Sequence, residues 1–298
     1  MSLEPKDEIK GLSPGVHGGI DFAEFKAADI NPEEVLDFSV SANPFMPPPG
    51  IKKILASVAI ERYPDSQSLE LREVLAGMSG VAIDNLIVGS GTTELIRLIA
   101  LAYFRKNDRI LLLEPTFGDY EIACRTMGAK LVRCIAREED GFAPHIEVVS
   151  EIIRKERPRA VFLCNPNNPT GQYVSREQVE EILNNLGGGL LVLDEAYIAF
   201  VAKSWNSLDL IKRGNVVILR SMTKDYGMCG LRLGYAVAPQ DVIETLSRVC
   251  PPWNVNVAAQ EVGVAVLGRA DYLEKTKKKI MAAKQYLVRE FTRLDYQV

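Results

Sequence analysis

Between residues 86 and 238 the chain alternates short, largely apolar runs with amphipathic stretches of helical length. The apolar runs fall at 86–88, 109–113, 130–135, 160–164, 190–193, 216–219 and 235–238. Helical patterns occupy 93–103, 120–127, 145–155 and 176–185, with 51–59 and 68–78 ahead of the first run. Apolar strands alternating with helices predict an α/β fold with a large, doubly wound, mostly parallel sheet. Such sheets bind ligands beyond the carboxyl ends of their strands. The residues that follow each run are therefore the ones to read for chemistry.

The richest strand end follows 216–219 and reads Ser221-Met222-Thr223-Lys224-Asp225-Tyr226-Gly227, continuing to Arg232 and Gly234. A lysine withdrawn from water there has its pKa lowered, and its amine is free to attack carbonyl compounds. Ser221, Thr223 and Arg232 are the donor types that a phosphate needs. The alternative is a solvated loop, where most lysines sit. The first strand runs into Gly89-Ser90-Gly91-Thr92-Thr93-Glu94, which opens a helix. It is either an anion cradle at a helix N-terminus or a plain cap made by Thr92 or Thr93. It is not a nucleotide P-loop, because no Gly-Lys-Ser/Thr follows.

Three further strand ends matter. Phe117, in Glu114-Pro115-Thr116-Phe117-Gly118-Asp119-Tyr120, is either core or a stacking face for a flat ring. Asn165-Pro166-Asn167-Asn168-Pro169-Thr170-Gly171 is a rigid turn that either punctuates the chain or presents an amide to a phenolic oxygen. Asp194 closes a buried apolar strand, which is costly unless a cation or a donor meets it. A protonated pyridine nitrogen, a capping role and a magnesium ion are its possible partners, the last lacking a phosphate loop.

Composition narrows the class. A formal charge of −4 over 298 residues argues against a nucleic-acid or anionic-membrane surface. Five scattered cysteines without a Cys-x-x-Cys pair offer neither a disulfide framework nor a zinc site. With two histidines, His17 and His145, no metal centre is expected. The start lacks an apolar signal core and no run approaches a membrane span, so a cytoplasmic protein is expected.

Taken in order, Gly91-Thr92-Thr93-Glu94, Phe117, Asn168-Pro169-Thr170-Gly171, Asp194-x-x-Tyr197, Ser221-x-Thr223-Lys224 and Arg232 resemble the fold-type I pyridoxal 5′-phosphate (PLP) enzymes, aminotransferase class I/II. Within that group the chain resembles the histidinol-phosphate aminotransferase branch. It looks most like the L-threonine-O-3-phosphate decarboxylases of cobalamin synthesis, through His17-Gly18-Gly19, Asp37-Phe38-Ser39, Asn43-Pro44, Glu61-Arg62-Tyr63-Pro64-Asp65 and Pro252-Trp253-Asn254-Val255-Asn256. Ile20 and Ser41 depart from the decarboxylase pattern, where asparagines are usual.

The resemblance implies PLP as cofactor, with Lys224, Asp194 and Tyr197 as catalytic residues. Lys224 takes the aldimine position and Asp194 holds the pyridine nitrogen protonated. Asn168 and Tyr197 bond the phenolic oxygen, and Phe117 stacks on the ring. Gly91, Thr92, Thr93, Ser221, Thr223 and Arg232 form the phosphate site. Tyr63 reaches the cofactor phosphate of a neighbouring subunit, which implies a homodimer. His17 and Asn43 meet a phosphorylated amino-acid substrate.

The resemblance also sets the expected domains: an arm at 1–46 that contributes to a small domain, a PLP-binding domain at 47–268, and the start of a truncated small domain at 269–298. The end, Leu294-Asp295-Tyr296-Gln297-Val298, reads as a strand, and no residue takes the role of the arginine that holds a substrate carboxylate. Decarboxylation of a small phosphorylated amino acid is the expected reaction. Transfer of the amino group of histidinol phosphate to 2-oxoglutarate is the alternative, followed by a PLP-fold module without catalysis.

Overall fold

The computed structural model describes residues 3–15, 17–45 and 47–296. Seven strands form one sheet: β1 Leu86–Gly89, β2 Arg109–Glu114, β3 Lys130–Ile135, β4 Ala160–Cys164, β5 Leu190–Asp194, β6 Val216–Ser221 and β7 Gly234–Val237. Their spatial order is β1-β7-β6-β5-β4-β2-β3. The neighbours among β2 to β6 pair in parallel, whereas β7 runs antiparallel to both β1 and β6. The α/β expectation therefore holds, with β7 as the one reversed strand.

The apolar runs are continuous because each strand feeds two cores. Leu111, Val161, Leu191 and Val216 pack on one face, against helices Ile146–Glu156 and Arg176–Leu186. Ile110, Phe162, Val192 and Val217 pack on the other, against helices Thr92–Tyr103 and Gln240–Val249. Each of these eight strand residues is at most 1% exposed. A fully buried side chain of this size contributes about 1.5–3 kcal/mol, so the strands, and the residues at their ends, are held firmly in place.

The C-terminal segment differs from its expected form. Residues Ala270–Arg293 make one helix of 24 residues. No glycine or proline interrupts this stretch, and Lys, Ala, Glu, Leu and Arg favour helix throughout. Leu294–Tyr296 then turn back on the helix, with Leu294 N–H bonded to Phe291 O at 3.0 Å and Asp295 at φ 63°. The expected strand is thus absent among the described residues, and its last members, Gln297 and Val298, lie outside them. No helix among the described residues is long and apolar enough to cross a membrane.

Candidate active site

The carboxyl ends of β4, β5 and β6 and the start of helix Thr92–Tyr103 surround a cavity of about 470 Å³. Lys224 lines it from the single turn Met222–Asp225, directly after β6. Among the described residues its ammonium makes no hydrogen bond or ion pair.

Asp194 ends β5 at 2% exposure. The donors that its burial requires are the Tyr120 hydroxyl, at 2.7 Å from Oδ2, and the Ala196 N–H, at 2.9 Å from Oδ1. Burial nevertheless pushes the carboxyl up to about 6, against the pull of these two donors. Such a carboxylate is ready for a cation. Tyr197, three residues on, lines the same cavity, and burial raises its phenol to about 12. At neutral pH it is a hydrogen-bond donor.

The asparagines of the turn after β4 divide their work. Asn165 bonds Val174 through both its oxygen and its amide nitrogen. Asn167 donates to Pro115 O and Thr170 Oγ1, each at 2.8 Å. Asn168 alone of the three lines the cavity, and its side chain has no partner among the described residues. Phe117 supplies an aromatic wall, standing edge-on to Tyr120 at 5.6 Å between centroids.

Gly91, Thr92, Thr93, Ser221, Thr223 and Arg232 also line the cavity. Gly91 has φ 76°, and a Cβ there would lie 2.6 Å from Arg232 Nη2, so only glycine lets the guanidinium approach the helix N-terminus. Thr92, Ser221 and Arg232 keep free donors among the described residues. Thr93 instead donates to Asp119 Oδ2 at 3.2 Å. The Thr223 hydroxyl donates to Leu233 O at 3.0 Å and accepts from Leu233 N–H at 3.2 Å, which closes the loop between Lys224 and Arg232.

His17 lines the cavity from the arm, with Nε2 3.4 Å from Asp119 Oδ1 and its ring 5.7 Å from Phe117. Two expected residues are not brought to this cavity. Tyr63 is 77% exposed and stacks on Trp253 at 4.3 Å. Asn43 is buried behind the lysine turn, and its amide donates to Asp225 O and Thr276 Oγ1. With both amide protons in use, Asn43 has no donor left for a substrate in this arrangement.

The free amine, the buried carboxylate, the unpartnered amide, the aromatic wall and the cationic N-terminal patch fit the groups of PLP. A second cavity of about 330 Å³, lined by Leu113, Ile135, Phe142 and Leu163 among others, lies beside β3. Its lining is mainly apolar and includes no lysine, so the chemistry belongs to the first cavity.

The family model for aminotransferase class I and II matches residues 33–298. The chain belongs to that family. Within this family of PLP-dependent enzymes it falls in the histidinol-phosphate aminotransferase branch. Histidinol-phosphate aminotransferase of Moorella thermoacetica is 37% identical over 273 residues, covering 89% of this chain and 70% of that protein. Among solved structures, the histidinol-phosphate aminotransferase of Sinorhizobium meliloti, in complex with pyridoxal-5′-phosphate, superposes with a TM-score of 0.79. At 23% identity, covering 84% of this chain and 69% of the other, that likeness speaks for the fold. The L-threonine-O-3-phosphate decarboxylase of Porphyromonas gingivalis is 29% identical, with a TM-score of 0.65, and covers 76% of this chain and 68% of the other.

Sequence reading missed several residues that brace the surroundings of this cavity. Tyr120 is fully buried and holds Asp194. Its signal was a phenol at the start of a helix whose next inward residues, Ala123 and Cys124, are apolar: a buried hydroxyl needs an acceptor. Arg220 meets Glu195 at 2.8 Å just beneath the strand ends and offsets that buried charge. Asn254, from the Pro-Trp-Asn segment, donates to Glu94 Oε2 at 2.7 Å and to Val88 O at 3.1 Å, bracing the Gly91 turn from behind.

Proposed function

We propose that the protein is a PLP-dependent aminotransferase acting on a phosphorylated amine of the histidinol-phosphate type, with a 2-oxo acid as acceptor. The observation that carries this reading is the 37% identity to a histidinol-phosphate aminotransferase across 89% of the chain. Bound PLP supplies an aldehyde that takes up amines and a ring that withdraws electrons. The chain's own residues supply the rest. Thr92, Ser221 and Arg232 hold the cofactor phosphate at the helix N-terminus. Asp194 sets its charge against the ring nitrogen, and Asn168 and Tyr197 donate to the phenolic oxygen. Phe117 covers one face. With PLP bound, Lys224 would take the proton from the substrate α-carbon and pass it to the carbon that had carried the cofactor's aldehyde oxygen.

Histidinol phosphate has an amine and a phosphate but no carboxylate. Its half of the reaction therefore calls for a partner to the phosphate, and His17 at the cavity wall supports that role. We further propose the division into arm 1–46, PLP domain 47–268 and small-domain segment 269–298. We also propose a homodimer in which Tyr63, exposed on its own subunit, serves the neighbouring site. Threonine-phosphate decarboxylation is the second reading, supported by the Porphyromonas gingivalis structure.

The test is to incubate the protein with PLP, histidinol phosphate and 2-oxoglutarate, and separately with PLP and threonine phosphate. Glutamate should form in the first mixture. Carbon dioxide from the second without glutamate in the first would overturn the proposal in favour of decarboxylation.

A further inference from the structure

A turn of four residues, Met222–Asp225, is too short to hold itself as a helix. The turn's own Asp225 gives no help: its Oδ1 is buried without a hydrogen-bond partner among the described residues. Beyond the Thr223–Leu233 bonds, the turn is held from two distant segments. Asn43 N–H donates to Lys224 O at 3.0 Å. Asn43 Nδ2 donates to Asp225 O at 2.9 Å and to Thr276 Oγ1 at 3.0 Å, while Asn43 Oδ1 accepts from Phe45 N–H at 3.1 Å. Thr276, on helix Ala270–Arg293, passes its own proton to Leu273 O at 3.0 Å, which leaves its oxygen free to accept. Asn43 and Thr276 are each 4% exposed. Gly227 has φ 63°, and a Cβ there would lie 2.6 Å from Phe45 O, so the arm's backbone rests directly on the turn.

We infer that Asn43 and Thr276 form a bracket that positions Lys224, tying the lysine turn to the N-terminal arm and to the long C-terminal helix. This rests on the reading of Lys224 as the residue that bonds PLP. The carbonyls of Lys224 and of Asp225, the residue after it, are both held by Asn43, so the backbone that carries the amine is fixed before the cofactor arrives. Asn43 is thus a positioning residue rather than a substrate contact. Loss of the bracket leaves the phosphate grip of Thr92, Ser221 and Arg232 in place but spreads the directions open to the amine. The step that suffers is capture, in which the Lys224 nitrogen bonds the aldehyde carbon and one water leaves.

The experiment compares Asn43→Ala, Thr276→Val, Thr276→Ser and, as a control, Leu246→Ala in the whole chain. Leu246 is fully buried in helix Gln240–Val249, in the core on the other side of the sheet from Met222 of the lysine turn. Two quantities are read: the melting temperature without cofactor, and the rate of PLP capture, with the adduct reduced by borohydride and mapped. Asn43→Ala should slow capture about tenfold, the loss of roughly one net hydrogen bond. Thr276→Val should slow it a few-fold, and Thr276→Ser, which keeps the hydroxyl, should restore the wild-type rate. Leu246→Ala should lower the melting temperature while capturing at the wild-type rate. Capture unchanged in Asn43→Ala and Thr276→Val, or slowed equally in Leu246→Ala, overturns the inference. If Asn43→Ala does not fold, the Thr276 pair decides. A wild-type adduct on another lysine overturns the Lys224 reading itself, which is a different failure from a Lys224 adduct indifferent to the bracket.

Discussion

The two walls of the cavity follow different rules. On the sheet side Asp194, Ser221 and Thr223 stand at the ends of strands buried on both faces, and their own exposures are 4% or less. On the arm side Ser39, Val40 and Ser41 are exposed loop residues, and the His17 side chain is 48% exposed. The sheet wall is preorganised by packing and can fix a cofactor whose groups never change. The arm wall is a surface segment of the kind that carries specificity and tolerates change. That contrast explains why the cofactor residues make the family plain while the substrate is less legible: His17 and Ser41, which bear on the proposed substrate, lie on the arm side.

The largest test of this contrast is on the sheet side. Asp194→Asn should keep PLP bound yet lower turnover about a hundredfold or more, because a neutral amide no longer opposes a ring cation. Its pH behaviour gives the sign. The folded pKa of Asp194 lies above its ordinary value, so its contribution to stability is full in acid and is lost as pH climbs through about 6. The cofactor-free wild type should therefore lose stability between about pH 4 and pH 7, and the Asn variant should lose less. Flat turnover in this variant, followed by glutamate release, would reduce Asp194 to a cap.

Next in size is Tyr120→Phe. It strips a donor from a buried carboxylate and should cost about 1–3 kcal/mol in denaturant unfolding. It should also move the Asp194 midpoint further upward. The smallest effect belongs to the arm. His17→Ala should change stability by less than about 0.5 kcal/mol, while raising KM for the phosphorylated substrate about tenfold at constant kcat. If His17→Ala destabilises the protein as much as Tyr120→Phe, the two walls are not different in kind.

Much of this was legible in the chain itself. Apolar runs located all seven strands to within a residue or two; six are largely buried on both faces, which leaves few other ways to write them, while β3 lies at the sheet edge and is more exposed. Glycines and hydroxyls at strand ends marked the cavity. Pairings remote in sequence were not legible. Tyr120 and Asp194 are 74 residues apart, and nothing local says that one bonds the other. Asn43 looked like a substrate contact because a motif shows an amide but not where it points; its partner Asp225 is 182 residues away. The helix Ala270–Arg293 was under-read because its end was judged on a few apolar residues rather than on the uninterrupted helix formers before them.

The reversal of β7 has a topological consequence. A strand that runs backward begins where its neighbours finish, and Gly234, the first residue of β7, pairs with both Gly89 and Ser221. The chain therefore leaves the sheet at Ser221, sets down Lys224 and Arg232, and re-enters beside its own point of exit. A parallel β7 would need a crossover back to the far edge, and Arg232 would arrive at the wrong end of the molecule. The proposed covalent anchor, Lys224, and the proposed phosphate anchor, Arg232, thus share one hairpin connection, 222–233, whose closure takes little entropy. One short ribbon carries the distance between the two ends of the cofactor, so a change in the length of that connection would reset the spacing of both anchors at once.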